Sequence, residues 1–223
     1  MATHKHVSSS LTTDAAPATE GRTIRWAQHY DVVVRLLTLG KDKAIRQMTV
    51  DMAGIRPGDN VLDVGCGTGD LTLLAKVRAG TGGKVVGIDA APEMIAVACR
   101  KAARKNTQVE FRTEVIEGMS FPDQTFDVVL SSLMMHHLPG ELKRRVLAEI
   151  QRVLKPGGKV LVIDMKSRAG HGGQHWMALL LHPTPQTGLL ELSALMKELG
   201  FLHVEAGDTR FRALGFARGQ KGG

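Results

Sequence analysis

The stretch Val61-Leu62-Asp63-Val64-Gly65-Cys66-Gly67-Thr68-Gly69 decides the fold. Three apolar residues and one aspartate run straight into glycines spaced G-x-G-x-G, and helical apolar spacing resumes at Leu71. Such a run bounded by glycines reads as a buried strand, a tight loop and a helix, in that order. Gly65, Gly67 and Gly69 let the backbone turn sharply and approach a ligand with no Cβ in the way. Asp70 stands where a dinucleotide-binding G-x-G-x-x-G loop has its third glycine, which counts against a pyrophosphate at the helix N-terminus.

A second carboxylate, Asp89, ends the next apolar run, VVGIDA, 24 residues after Gly65. An acidic side chain at that strand tip can accept both hydroxyls of a ribose. Asp63 lies near the same point of the sheet. Two carboxylates and no lysine in the loop suit a zwitterionic ligand with a ribose better than a polyanion.

Outward from this centre, strand-like runs at 84–88, 108–112, 126–131 and 159–163 alternate with helix-like segments at 71–78 and 92–105 and with a helical pattern at Leu142, Val146, Ile150 and Val153. The last of these ends at the turn Pro156-Gly157-Gly158. The alternation predicts an α/β fold with a parallel sheet covered by helices on both faces. Upstream, residues 23–53 carry helical periodicity broken at Gly40, which predicts two helices. Downstream, a helix over 189–199 precedes strands near 201–205 and 211–217, close enough to pair as a hairpin around a turn at Gly207 and Asp208.

At 223 residues and 43% hydrophobic the chain suits one core. Residues 1–22, rich in Ser, Thr, Ala and His, read as a flexible tail, and 23–223 as the domain. The irregular segment 167–188 is the expected acceptor lid. Its Trp176 to Leu181 run reads as lid or core packing ahead of a membrane anchor, although peripheral membrane contact stays open. No long apolar run or secretory h-region is present, so the expected location is the cytoplasm. Two cysteines, Cys66 and Cys99, give neither a disulfide framework nor a metal-ligand spacing, and no metal is expected. The net charge of +7 comes from residues spread along the chain, and aromatics are 4%, which argues against a nucleic-acid partner.

With these pieces the chain resembles the class I S-adenosylmethionine-dependent methyltransferases. Within them it looks most like the branch of ubiquinone and menaquinone C-methyltransferases and small phospholipid N-methyltransferases. The matching stretches are HYD at His29 to Asp31, VLDVGCGTG, GIDAAPEM at Gly87 to Met94, FPDQTFDVV at Phe121 to Val129, HHLP at His136 to Pro139, and RVLKPGGKVLVID at Arg152 to Asp164. The resemblance implies a Rossmann-like seven-stranded, mostly parallel sheet with the last strand antiparallel, and S-adenosylmethionine as methyl donor. By the same resemblance Asp63, Gly65, Cys66, Gly67 and Gly69 would hold the methionine end and Asp89 the ribose. Ala90 and Met94 would pack on adenine, and Ser131 would face the methionine end through its backbone. Where the family often carries an Asp that accepts from the adenine amino group, this chain has Val115, so the backbones of Val115 and Ile116, or the side chains of Glu114 or Glu117, would substitute.

Methyl transfer from a sulfonium is an in-line displacement that mainly needs alignment and exclusion of water. A base matters only for acceptors that lose a proton. His136 and His137, past the fourth strand, and Tyr30 are the candidates for catalytic contact, weighed against packing roles. The fourth strand ends in SSLM rather than an NPPY-type motif, which argues against nucleic-acid bases as acceptors, and two cysteines are too few for arsenite. A small, partly apolar acceptor remains: a quinone precursor, a lipid amine, or a natural-product phenol, amine or thiol. The alternative is a regulatory protein that binds S-adenosylmethionine without methyl transfer.

Overall fold

The computed structural model describes residues 31, 34–36, 38–166 and 188–223. The expectations for Tyr30, for the tail and for 167–187 fall outside the described residues. The elements in chain order are α1 (Asp42–Ala53), β1 (Val61–Val64), α2 (Asp70–Ala79), β2 (Val85–Asp89), α3 (Pro92–Arg104), β3 (Glu110–Thr113), β4 (Phe126–Ser132), a 3-10 turn (Met135–His137), α4 (Gly140–Val153), β5 (Leu154–Met165), α5 (Leu189–Glu198), β6 (Leu202–Asp208) and β7 (Leu214–Gln220). Among the described residues no helix is long and apolar enough to cross a membrane.

The strands form one seven-stranded sheet in the order β3-β2-β1-β4-β5-β7-β6. Strands β1 to β5 are mutually parallel, and β7 runs antiparallel to both β5 and β6. The strand order reverses between β1 and β4, and a crevice outside the carboxyl ends of strands at such a point is where open α/β sheets bind ligands.

Side-chain parity along the strands decides what each face carries, because successive residues point to opposite sides. Leu62 and Val64 of β1 pack with α4 and α5 through Leu142, Val146, Ile150, Leu192 and Met196. Val61 packs on the other face with Ile45 and Met48 of α1 and Leu71 and Ala75 of α2. Asp63 shares the parity of Val61 and points to the α1/α2 face. In β5 the same rule sends Val160, Val162 and Asp164 to the α4/α5 face, while Leu161 and Ile163 go to the other.

The helices begin and end as their sequences dictate. Pro92 opens α3 with Glu93 in its first turn and Lys101 and Arg104 in its last, complementing the helix dipole at both ends. In α4 the buried Leu142, Val146, Ile150 and Val153 fall on one stripe.

Two sequence expectations shift. Gly207 and Asp208 belong to β6, paired with Phe216 and Gly215, and the hairpin turn falls after them. A Cβ at Gly207 would stand 3.0 Å from the Phe216 ring, so this glycine marks a close approach rather than a turn. Pro156 to Gly158 lies inside the span of β5, as an excursion that shifts the register so that Phe126 faces Leu154 while Val128 faces Lys159. Its backbone is held by Lys221, through Gly157 N–H to Lys221 O at 3.0 Å and Lys221 N–H to Gly158 O at 2.9 Å.

Candidate active site

The glycine loop leaves β1 and folds under the end of β2: the N–H groups of Gly65 and Cys66 both donate to Ile88 O at 2.9 Å. Gly65, Gly67 and Gly69 all adopt positive φ (70°, 53° and 80°), a region that costs side-chain-bearing residues energy. Space is as tight as conformation, since a Cβ at Gly65 would lie 2.4 Å from Met134 Cγ.

Asp89 is the hinge of this arrangement. Its Oδ2 accepts from Gly67 N–H and its Oδ1 from Ala91 N–H, each at 2.9 Å. Burial raises the Asp89 carboxyl above its usual range while these two N–H groups oppose the rise. Each oxygen keeps a further lone pair for a ligand hydroxyl. Next to it, Glu114 N–H donates to Asp89 O at 3.0 Å, which holds the segment carrying Val115 and Ile116 beside the acid. Glu114 itself accepts from Ser120 N–H, so its carboxylate is engaged in the turn after β3. Met94 is buried with Ala91, the partly buried Val97 packs against them, and Ala90 stays partly exposed.

Asp63 is almost fully buried and accepts from Thr72 Oγ at 2.7 Å. Burial pushes its pKa up to about 7, with the nearby Asp89 adding to the rise and Thr72 and the Arg46 guanidinium opposing it. Arg46 comes from α1, pairs with Asp42 at 2.6 Å and reaches Asp70 at 3.5 Å. Arg46, Asp63, Gly65, Cys66, Gly67 and Thr68 line one cleft. Burial, with Asp63 and Asp89 close by, drives the Cys66 thiol well above its ordinary value, so it lines the cleft as a neutral group.

Thr68 and Asp70 of the cleft wall belong to an ionic cluster absent from the sequence expectations. Lys101 Nζ meets Asp31 at 2.6 Å, Thr68 Oγ at 2.9 Å and Asp70 at 3.0 Å, and Thr68 Oγ donates to Asp31 at 2.6 Å. Asp70, which the loop pattern marks only as a missing glycine, thereby joins α1, α2 and α3. No local spacing signals this: Arg46 and Lys101 lie 24 and 31 residues from Asp70.

Ser131 sits at the end of the ladder between β1 and β4, paired with Val64 on one side and Val162 on the other. Ser132 and Leu133, which follow it, line the cleft. Beyond them, His136 and His137 occupy the 3-10 turn with ring centroids 3.9 Å apart. Asp164 Oδ1 lies 2.6 Å from His136 Nδ1 and Oδ2 accepts from His136 N–H at 2.9 Å.

A methyltransferase-domain family profile matches residues 61–158, the span from β1 into β5. The chain is 39% identical over 138 residues to a demethylmenaquinone methyltransferase of Thermus thermophilus, covering 62% of this chain and 61% of that protein. The chain spans about six-tenths of the length of the curated relatives it matches. A phosphoethanolamine N-methyltransferase of Haemonchus contortus solved with S-adenosyl-L-methionine shares the fold at a TM-score of 0.69 and 19% identity, over 81% of this chain and 53% of that one. The cyclase SpnF shares it at 0.67 and 20% identity, over 80% and 81%. The described residues therefore have the Rossmann-like, seven-stranded fold that the sequence resemblance implied.

Proposed function

We propose that this protein transfers a methyl group from S-adenosylmethionine to a small, partly apolar acceptor, with a demethylated quinol as the acceptor class to test first. The observation that carries the reading is the pairing of opposite charges in one cleft. Arg46 offers a guanidinium to a carboxylate, and Asp63 offers a carboxylate to an ammonium. Asp89, pinned by two N–H groups, offers oxygens to a ribose. A buried Asp63 at a pKa of about 7 is a group that gains from a bound cation.

When bound, the donor would supply an electrophilic methyl group on a sulfonium. The chain's own residues orient and enclose. The Gly65 to Gly69 backbone and Arg46 would hold the amino-acid end, Asp89 the ribose, and Met94 with Val115 and Ile116 the adenine. Ser132, Leu133 and Met134 bring the carboxyl end of β4 against the glycine loop, where they exclude water from the reacting carbon. His136 and His137 stand past this edge as the candidates to take a proton from an acceptor that must lose one, and Tyr30 is the candidate to close over the sulfonium. The quinol preference rests on the likeness to demethylmenaquinone methyltransferases, and a lipid amine is the next class.

Calorimetry with S-adenosylmethionine, followed by mass spectrometry of quinols, phenols and lipid amines incubated with isotopically labelled donor, tests the reading. Labelled product from a quinol supports it, and absence of donor binding refutes it. A second reading is donor binding without methyl transfer, since the fold by itself does not set the chemistry and a cyclase shares it. Tight donor binding with no labelled product from any acceptor is its expected outcome.

A further inference from the structure

Two stretches of chain meet at the donor cleft: one contributes Val34, Thr38 and Arg46 to its lining, the other Gly65, Gly67 and Thr68. A single carboxylate ties the first stretch to the second. Asp31 Oδ1 accepts from Thr68 Oγ at 2.6 Å and Oδ2 meets Lys101 Nζ of α3 at 2.6 Å, while Lys101 also donates to Thr68 Oγ at 2.9 Å. The three groups close a triangle in which the hydroxyl both donates and accepts, so loss of one member weakens the contacts of the other two. Thr68 is 2% exposed and belongs to the glycine loop, whereas the Asp31 side chain is 39% exposed. The post is buried, and water reaches the arm.

The arm also has a pivot. Asp31 and residues 34–36 are helical and α1 begins at Asp42, while between them Leu39 and Gly40 take positive φ, 51° and 75°. A Cβ at Gly40 would meet nothing within 4 Å and Leu39 is 83% exposed, so little packing holds this break. Past it, Ile45 and Met48 anchor α1 in the core shared with α2, and Arg46 reaches Asp70 at 3.5 Å. Asp70 also meets Lys101 at 3.0 Å, which steadies the post from the α2 side. An anchored helix, an unpacked break and a segment fastened at its far end by partly exposed ion pairs make a hinge with a latch, and hinges commonly fall at element ends.

We propose that Asp31 is a positioning residue. Its contacts with Thr68 and Lys101 latch the segment bearing Val34 and Thr38 onto the glycine loop, and they release, with Leu39 and Gly40 as the pivot, whenever S-adenosylmethionine enters or S-adenosylhomocysteine leaves. The proposal rests on the donor-binding half of the methyl-transfer reading. A latch made in both the free and the bound protein raises the barrier to entry and to exit together, whereas a brace made only around bound donor slows exit alone. Partly exposed ion pairs are individually weak, so a latch built from them opens readily.

The test is surface plasmon resonance of the full chain with S-adenosylhomocysteine, whose net charge near neutral pH is zero, so that electrostatic steering does not obscure the rates. Asp31→Asn and Lys101→Met are each expected to raise the association rate about threefold and the dissociation rate about tenfold, and Asp31→Glu to return both toward wild type. An association rate that is unchanged or slower in both variants overturns the proposal and marks the cluster as a brace. Where the variants do not fold, the wild type decides: both rates should rise as salt screens the pairs, and an association rate that stays level overturns the proposal. Hydrogen exchange of the ligand-free chain gives an independent reading. The amides of Thr38, Leu39, Gly40 and Lys41 bond to carbonyls at Val34, Leu36, Arg35 and Thr38, and they should exchange faster in Asp31→Asn. Equal exchange overturns the latch. A wild-type protein that binds neither S-adenosylmethionine nor S-adenosylhomocysteine refutes the donor reading and the proposal together, while binding with unchanged association in the variants refutes the latch alone.

Discussion

The carboxyl edge of the sheet has two halves built in different ways. At the ends of β1 and β2 the site is mostly backbone: three glycines, two N–H groups on Asp89, and carbonyls that hold the loop. At the ends of β4 and β5 it is side chains from separate elements, His136, Asp164 and Lys143, gathered on the α4/α5 face. Asp63 and Asp164 are both near-buried carboxylates close to strand ends, yet strand parity sends them to opposite faces. The backbone half suits a ligand whose contacts are the same for every acceptor, while a side-chain half can be altered residue by residue. Donor recognition and acceptor chemistry should therefore separate in experiments.

The largest effect is expected at Gly67. A valine there would have to adopt φ near 53° with a branched Cβ in the loop that lines the cleft, so Gly67→Val should remove donor binding from calorimetric detection. Retained affinity in a folded variant would break the division at its strongest point.

Asp63→Asn sharpens it through pH. The folded-state pKa of Asp63 is raised from 3.8 to about 7, so its contribution favours the folded state below pH 4 and is lost as pH rises to 7. The asparagine variant removes that loss, and without donor it should be more stable than wild type at pH 8 by up to roughly 4 kcal/mol, with little difference at pH 4. Urea unfolding at the two pH values measures this. The same substitution should weaken donor binding most at pH 8, where the wild-type carboxylate is charged.

Asp89→Ala deletes an acceptor of two N–H bonds and the proposed ribose contacts together. A loss of about tenfold or more in donor affinity is expected. Unchanged affinity in a folded variant would remove Asp89 from the backbone half of the site.

The smallest effect is expected from Lys101→Met. Its ion pairs are partly exposed, and such pairs contribute about 0–1 kcal/mol each, so donor affinity should fall by about two- to fivefold. Wild type in high salt should lose a similar amount, because the same cluster is screened. Equal affinities for variant and wild type in low salt would show that the cluster does not brace the cleft.

Local reading reached far into this protein because the donor half depends on local patterns. An apolar strand, a glycine spacing and an acid at the next strand tip each leave a mark within a few residues, and β1, β2 and α3 fall within a few residues of where those marks put them. Gly207 has the local look of a breaker, yet it lies within β6 because the Phe216 ring crosses the ladder there, and the hairpin turn falls after it. Arg46, Lys101 and Asp164 left no such mark: each is an ordinary charged residue until the fold brings it to its partners.

The sequence by itself determined that strands and helices alternate around a glycine loop made for close approach of a ligand, because those demands act on φ, ψ and on neighbouring side chains. Only the tertiary structure decided which carboxylate serves which side of the sheet. Parity sent Asp63 toward Arg46 and Thr72, and Asp164 toward His136 and Lys143. It also decided that Asp70 joins three helices and that Ser132 and Leu133 line the cleft, since both depend on where ladders end and which distant residues meet there. Contacts between residues tens of positions apart are set by how helices pack on a twisted sheet, and no local pattern encodes that.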